Sequence, residues 1–137
     1  MIDMIRISTR LRYGIRFLMA LSCGEKKSTS EIAGELGVSP FYLRQIANVL
    51  ERNEIIESER GARGGYKILK KPDKITIFEL CEILDEDLNF LDCIKNPQIC
   101  NLSENCRNRE MWKNLSEMLK EKLRNITLKD LIEGRVK

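Results

Sequence analysis

Histidine is missing from this chain of 137 residues, and long apolar runs are missing as well. Without histidine, the protein has no catalytic imidazole and no histidine ligand for zinc. No stretch approaches the ~18 consecutive apolar residues that a membrane span needs. The first residues also lack the apolar run and cleavage site of a secretory signal peptide, so we expect a cytoplasmic protein that makes no contact with a membrane.

The cysteines are few and odd in number. Five are present, and an odd number argues against a simple framework of disulfides. We expect them to be reduced in the cytoplasm. Cys23 and Cys81 fall on apolar helical faces, where we expect them to be small core residues.

Charge is distributed unevenly along the chain. Residues 1–72 carry 13 lysine and arginine residues against 8 acidic residues, whereas residues 73–137 carry 11 against 13. The segment from Glu79 to Asp92 holds six acidic residues and no basic one. The basic first part suits an anionic partner such as nucleic acid, although charge alone fits ordinary surface variation equally well.

Capping residues and apolar periodicity predict a mostly α fold with one small β-hairpin. Helices are predicted to begin after the capping residues Ser8, Ser28, Ser39, Thr76 and Thr127. Residues 87–108 are predicted to be irregular, and a long helix follows over about Arg109–Asn125. Its predicted apolar stripe consists of Met111, Leu115, Met118, Leu119 and Leu123.

The segment Glu31–Ile46 predicts a helix-turn-helix. Gly37 ends the first short helix, and Leu43 and Ile46 would bury the underside of the second. Alone, this pattern also fits two amphipathic helices of any helical protein. The exposed N-terminal end of the second helix is the part that meets base edges in a major groove. The candidate DNA-contacting residues there are Ser39, Pro40, Phe41, Tyr42, Arg44 and Gln45.

A predicted β-hairpin follows directly, with strands over residues 55–60 and 66–69. Its glycine-rich loop supplies the positive φ angles of a tight turn. Such a loop places arginine against the DNA backbone or in a narrow minor groove. The candidate contacts are Arg60, Gly61, Arg63 and Gly64. Together the two motifs favour a winged helix-turn-helix that binds DNA.

Three features resemble the Rrf2 family of bacterial regulators, with its IscR-like, NsrR-like and CymR-like branches. They are Glu31-Ile32-Ala33, Tyr42-Leu43 and the run from Arg60 to Tyr66, and the similarity extends from Ile7 to Leu128. The resemblance implies a homodimer that binds a pseudo-palindromic double-stranded DNA operator. It also implies control, with repression as our expectation, of genes for iron–sulfur assembly, iron or cysteine supply, or nitrosative stress.

The resemblance divides a single domain, residues 1–137, into three parts. Residues 1–72 would form the DNA-binding winged helix-turn-helix. Residues 73–108 would form a helix and a cysteine-bearing loop, and residues 109–137 the dimerisation helix with a C-terminal tail.

Three cysteines in the irregular segment form the pattern C-x6-C-x5-C: Cys93, Cys100 and Cys106. A loop of this length can wrap several thiolates around one centre, as iron–sulfur clusters require. The trio resembles the ligands of the cluster-sensing branch, and we expect a [2Fe–2S] rather than a [4Fe–4S] cluster. Zinc fits less well, because the closely spaced cysteine pairs and fourth ligand of structural sites are missing. A metal-free thiol switch and inert cysteines remain alternatives.

The fourth cluster ligand is unassigned. IscR-like regulators use a histidine where this chain has Arg109, and NsrR-like regulators use a carboxylate of the partner's first helix where it has Arg12. Asp92, Glu104, a residue of the other subunit, a small external thiol and an open iron site are the candidates.

Two other hypotheses compete with the cluster-sensing regulator. An electron-transfer or redox enzyme would use the cluster, but the chain has no cofactor-binding glycine fingerprint, and the helix-turn-helix would be unexplained. A metal-free regulator would respond to a small molecule, to thiol oxidation or to a partner protein, as CymR-like members do. We therefore expect a regulator and not an enzyme.

Overall fold

The computed structural model describes residues 6–22, 27–59, 65–99 and 101–135. These residues form helices and one two-stranded antiparallel sheet, which confirms the predicted fold class. The helices are α1 Thr9–Leu21, α2 Thr29–Leu36, α3 Pro40–Arg52, α4 Ile77–Ile83, α5 Asp92–Lys95, α6 Arg107–Arg124 and α7 Leu128–Ile132. The strands are β1 Ile56–Glu59 and β2 Gly65–Ile68.

Local capping explains where five of the helices begin. The side chain of each predicted capping residue accepts a hydrogen bond from the backbone N–H three residues further along. Each bond satisfies a donor that the helix leaves unpaired, and each stabilises by about 1 kcal/mol. Ser28 and Glu31 also contact through their side chains, 3.2 Å apart. The capping predictions are therefore confirmed at all five positions.

The turn between α2 and α3 depends on a glycine. Gly37 has a φ of +72°, in the left-handed region that side chains with a Cβ disfavour. The backbone N–H of Val38 then donates to the carbonyl of Ala33, 3.0 Å away. This turn orients α3 so that Leu43 and Ile46 are buried.

One apolar core connects the first part of the chain with its end. The largest fully buried side chains are Phe17, Leu18, Ile32, Leu43, Ile46, Leu50, Ile55, Ile56, Ile75, Leu80, Leu84 and Leu128. The backbone N–H of Leu128 donates to the carbonyl of Ile75 at 2.8 Å. Gly14 lets α1 approach this core closely, because a Cβ there would lie 2.6 Å from Cδ1 of Leu84.

The cysteine segment is more regular than predicted. It contains α5 and two 3₁₀ turns, over Pro97–Ile99 and Ser103–Asn105. The long helix begins at Arg107, two residues before the predicted start. The reason is that the Sγ of Cys106 accepts a hydrogen bond from the backbone N–H of Arg109, 3.4 Å away, and so caps the helix.

The predicted apolar stripe of α6 lies only partly against the core of the subunit. Leu119 and Leu123 pack against the core. Met111, Leu115 and Met118 are exposed. The buried side includes Ser116, whose hydroxyl accepts from the N–H of Phe90 and donates to the carbonyl of Trp112. None of the described helices is long and apolar enough to cross a membrane.

Candidate nucleic-acid interface and cysteine site

The N-terminal end of α3 presents a chemically mixed, exposed surface. Ser39 caps the helix, with its Oγ 3.1 Å from the N–H of Tyr42, and Pro40 is the first helical residue. The ring of Phe41 is 68% exposed, and Arg44 and Gln45 are exposed on the following turn. Guanidinium and amide groups make bidentate contacts with base edges, and an apolar ring suits a thymine methyl.

Tyr42 differs from its neighbours in being half-buried. Its ring meets the edge of the Tyr13 ring at a centroid distance of 6.2 Å. Arg16 lies 5.7 Å above the centroid of Tyr13. Tyr42 therefore joins α3 to α1, and only part of its side chain is available to a ligand.

The base of the wing is fixed by strand pairing. β1 and β2 pair from Ile56 with Ile68 to Glu59 with Gly65. The Nζ of Lys67 lies 2.9 Å from a Glu57 carboxylate oxygen and 3.2 Å from one of Glu59. These hydrogen bonds raise the pKa of Lys67. The predicted contacts Arg60, Gly61, Arg63 and Gly64 are outside the described residues.

Arg109 connects the two described cysteines of the trio. Cys93 lies in α5 and Cys106 caps α6, and both are half-buried. The Nε of Arg109 donates to the carbonyl of Cys93 at 3.0 Å, while its backbone N–H donates to the Sγ of Cys106. The residue at the position of the IscR-like histidine thus bridges the cysteine positions.

Other predicted members of this site are either exposed or outside the described residues. Cys100 is outside the described residues, as is Cys23, which was predicted to be a core residue rather than a ligand, and Asp92 and Glu104 are exposed. Within the described part of the chain, no group of three or more histidine, cysteine, aspartate or glutamate side chains is placed to hold a metal ion. Of the predicted cysteine trio, Cys93 and Cys106 are among the described residues.

Cys81 is a core residue, as predicted. It is 1% exposed, and burial raises the pKa of its thiol to about 11, with smaller contributions from Glu86 and Glu82. A protonated, inaccessible thiol is a poor nucleophile and a poor metal ligand.

An acidic corner after α4 contacts the beginning of α1. Both carboxylate oxygens of Glu86 accept from the backbone N–H of Ser8, at 3.3 and 3.2 Å. A carboxylate oxygen of Asp85 lies 3.8 Å from Nη1 of Arg10. The charge pattern of the sequence indicated an acidic segment here, but nothing in the sequence predicted its contact with the beginning of α1.

The sequence profile of the Rrf2 family, described as an iron-dependent transcriptional regulator, matches residues 7–134. The chain belongs to the Rrf2 family. The similar proteins include the HTH-type transcriptional regulator IscR of Erwinia tasmaniensis. It is 27% identical over 134 residues, which cover 96% of this chain and 81% of that protein.

Solved structures of Rrf2 proteins have the same fold. CymR, the global cysteine regulator of B. subtilis, gives a TM-score of 0.77 at 28% identity, with 96% of this chain and 98% of that one covered. IscR of T. potens gives 0.76 at 25% identity, with 96% and 88% covered. This Rrf2 protein is therefore a DNA-binding transcriptional regulator, and its family is one of regulators and not of enzymes.

Proposed function

We propose that this Rrf2 regulator acts in the cytoplasm as a homodimer that reads operator DNA with α3 and holds the flanking duplex with its wing. The observation that carries the proposal is the exposed end of α3. The base-reading residues would be Ser39, Pro40, Phe41, Tyr42, Arg44 and Gln45. The wing contacts would be Arg60, Gly61, Arg63 and Gly64.

The homodimer is supported by the outer face of α6. Met111, Leu115 and Met118 are 49%, 38% and 67% exposed, and they follow one another at helical spacing. Such an apolar face favours burial against a partner. A two-fold dimer would present two α3 helices to two half-sites, which accounts for a pseudo-palindromic operator.

The sensing part of the proposal assigns an iron–sulfur cluster to Cys93, Cys100 and Cys106. Thiolates are the usual ligands of such clusters. The half-buried cysteines Cys93 and Cys106 lie near the beginning of α6 and are linked through Arg109. Backbone N–H groups directed at cysteine sulfur tune the potential of such clusters. When bound, the cluster would supply a redox-sensitive centre. We propose target genes for iron–sulfur assembly, iron or cysteine supply, or nitrosative stress.

A metal-free regulator is the second candidate. It is supported by the likeness to CymR and by the hydrogen bonds of Arg109, which by themselves join Cys93 and Cys106. The signal would then be a small molecule, thiol oxidation or a partner protein acting on this segment.

Anaerobic purification distinguishes the two candidates. We expect a coloured protein containing iron and sulfide, with [2Fe–2S] stoichiometry, whose iron is lost in Cys93→Ala, Cys100→Ala and Cys106→Ala. Cys81→Ala is the matched control and should retain iron, because Cys81 is buried in the core. A colourless wild type without iron would reject the cluster and favour the metal-free regulator.

DNA binding is tested separately with short duplexes that the wild type selects from a random-sequence pool. We expect the logarithm of the affinity to fall steeply with the logarithm of the salt concentration, because phosphate contacts release counterions. A flat salt response would contradict the proposed DNA-binding surface whatever the metal content.

A further inference from the structure

The exposed stripe of α3 continues beyond the residues assigned to base reading. Phe41, Gln45, Asn48 and Arg52 follow one another at helical spacing, and all four are exposed. At about 1.5 Å per residue, the stripe from Phe41 to Arg52 is about 16 Å long, whereas a major groove is about 12 Å wide. If the N-terminal end lies in the groove, the far end therefore extends over the sugar-phosphate backbone.

A groove of about 620 Å³ lies beside this far end. Its lining includes Arg10 of α1 together with Asn48 and Arg52 of α3. The charged groups of the lining are the guanidinium groups of Arg10 and Arg52 and the carboxylate of Glu51, so the excess of positive charge favours an anion. Arginine forks match the oxygens of a phosphate, and an amide adds a neutral donor.

We propose that Arg10, Asn48 and Arg52 form a seat for a DNA backbone phosphate, and that Asp85 competes with this phosphate for Arg10. The inference rests on the proposed function, since it assumes that α3 lies in the major groove. It adds a contact that fixes the position of the helix without reading sequence.

The Arg10–Asp85 pair is suited to exchange. The two charged groups are 3.8 Å apart, and their side chains are 49% and 85% exposed. Exposed ion pairs of this kind contribute little to stability, so a phosphate that binds Arg10 directly can displace the carboxylate. Asp85 stays near Arg10 because the adjacent Glu86 holds the N–H of Ser8. Arg10 therefore pairs with Asp85 in the free protein and with a phosphate in the DNA complex.

The experiment compares Arg10→Gln and Arg52→Gln with the control variant Arg124→Gln. Arg124 is an exposed arginine in the last turn of α6, as Arg52 is in the last turn of α3. Fluorescence anisotropy measures binding to the selected duplex and to a mixed-sequence duplex over a series of salt concentrations. Each of the first two variants should weaken both complexes by the same factor. The salt slope should fall by about 0.9 for each phosphate that the variant no longer neutralises. Arg124→Gln should match the wild type, and Asp85→Asn should bind more tightly.

The outcomes separate this inference from the proposed function. A wild type that binds no duplex would reject the proposed function itself. A wild type with a steep salt slope that Arg10→Gln and Arg52→Gln both retain would overturn the phosphate seat alone. Relaxed base preference in Arg52→Gln would show that Arg52 reads a base. Unchanged or weaker binding by Asp85→Asn would overturn the competition. Thermal unfolding of each variant verifies that it is folded.

Discussion

Replacing Arg44 with alanine should separate DNA recognition from folding. Arg44 is exposed on α3, and substitutions at exposed sites usually change the free energy of unfolding by less than about 0.5 kcal/mol. A bidentate contact with guanine, by contrast, provides about 1–3 kcal/mol of discrimination between bases. At about 1.4 kcal/mol for each factor of ten, each subunit should lose about 5- to 140-fold in preference for the selected duplex.

The neighbouring Leu43 provides the opposite control, because its side chain is 0% exposed. Leu43→Ala should cost about 2–5 kcal/mol of unfolding free energy through the cavity that it leaves. Urea denaturation measures stability, and anisotropy with selected and mixed-sequence duplexes measures binding. An equal loss of affinity by Arg44→Ala for both duplexes, or its unfolding, would refute the assignment of Arg44 as a base reader.

Three further predictions concern packing and titration. Met118→Glu should convert the dimer to monomers in sedimentation experiments, because it places a charge on the exposed apolar face of α6; an unchanged dimer would locate the interface elsewhere. Gly14→Ala should lower the unfolding free energy by about 1 kcal/mol, because the clash with Leu84 outweighs the gain in helix propensity; a more stable variant would contradict the tight α1 packing. The pKa of Cys81 is raised from its ordinary 9.0 to about 11, so its contribution to stability is full below pH 9 and is lost as the pH rises toward 11. Urea denaturation should show that the difference in unfolding free energy between wild type and Cys81→Ala shrinks over that interval. A difference that does not change with pH would show that the thiol is not buried.

Where the helices begin was decided by neighbouring residues, and the sequence alone was sufficient to predict it. A Ser39 side chain reaches the N–H of Tyr42 in any context that allows a helix. The same holds for Gly37, whose conformational freedom ends α2. Burial of Cys81 also followed from its place on an apolar helical face. The exceptions were α6, which Cys106 caps although cysteine is an unusual helix cap, and α5, which begins without a side-chain cap in a segment predicted to be irregular.

Only the tertiary structure decided which groups from distant parts of the chain meet. The apolar residues of α6 form one stripe in the sequence, but packing partly buries Leu119 against the core and leaves Met118 exposed. Arg109 reaches the carbonyl of Cys93, and Asp85 reaches Arg10, only because α4, α5 and α6 fold back toward α1 and one another. The periodicity of a sequence identifies which residues of a helix share a face. What packs against that face depends on how all the helices share a single core.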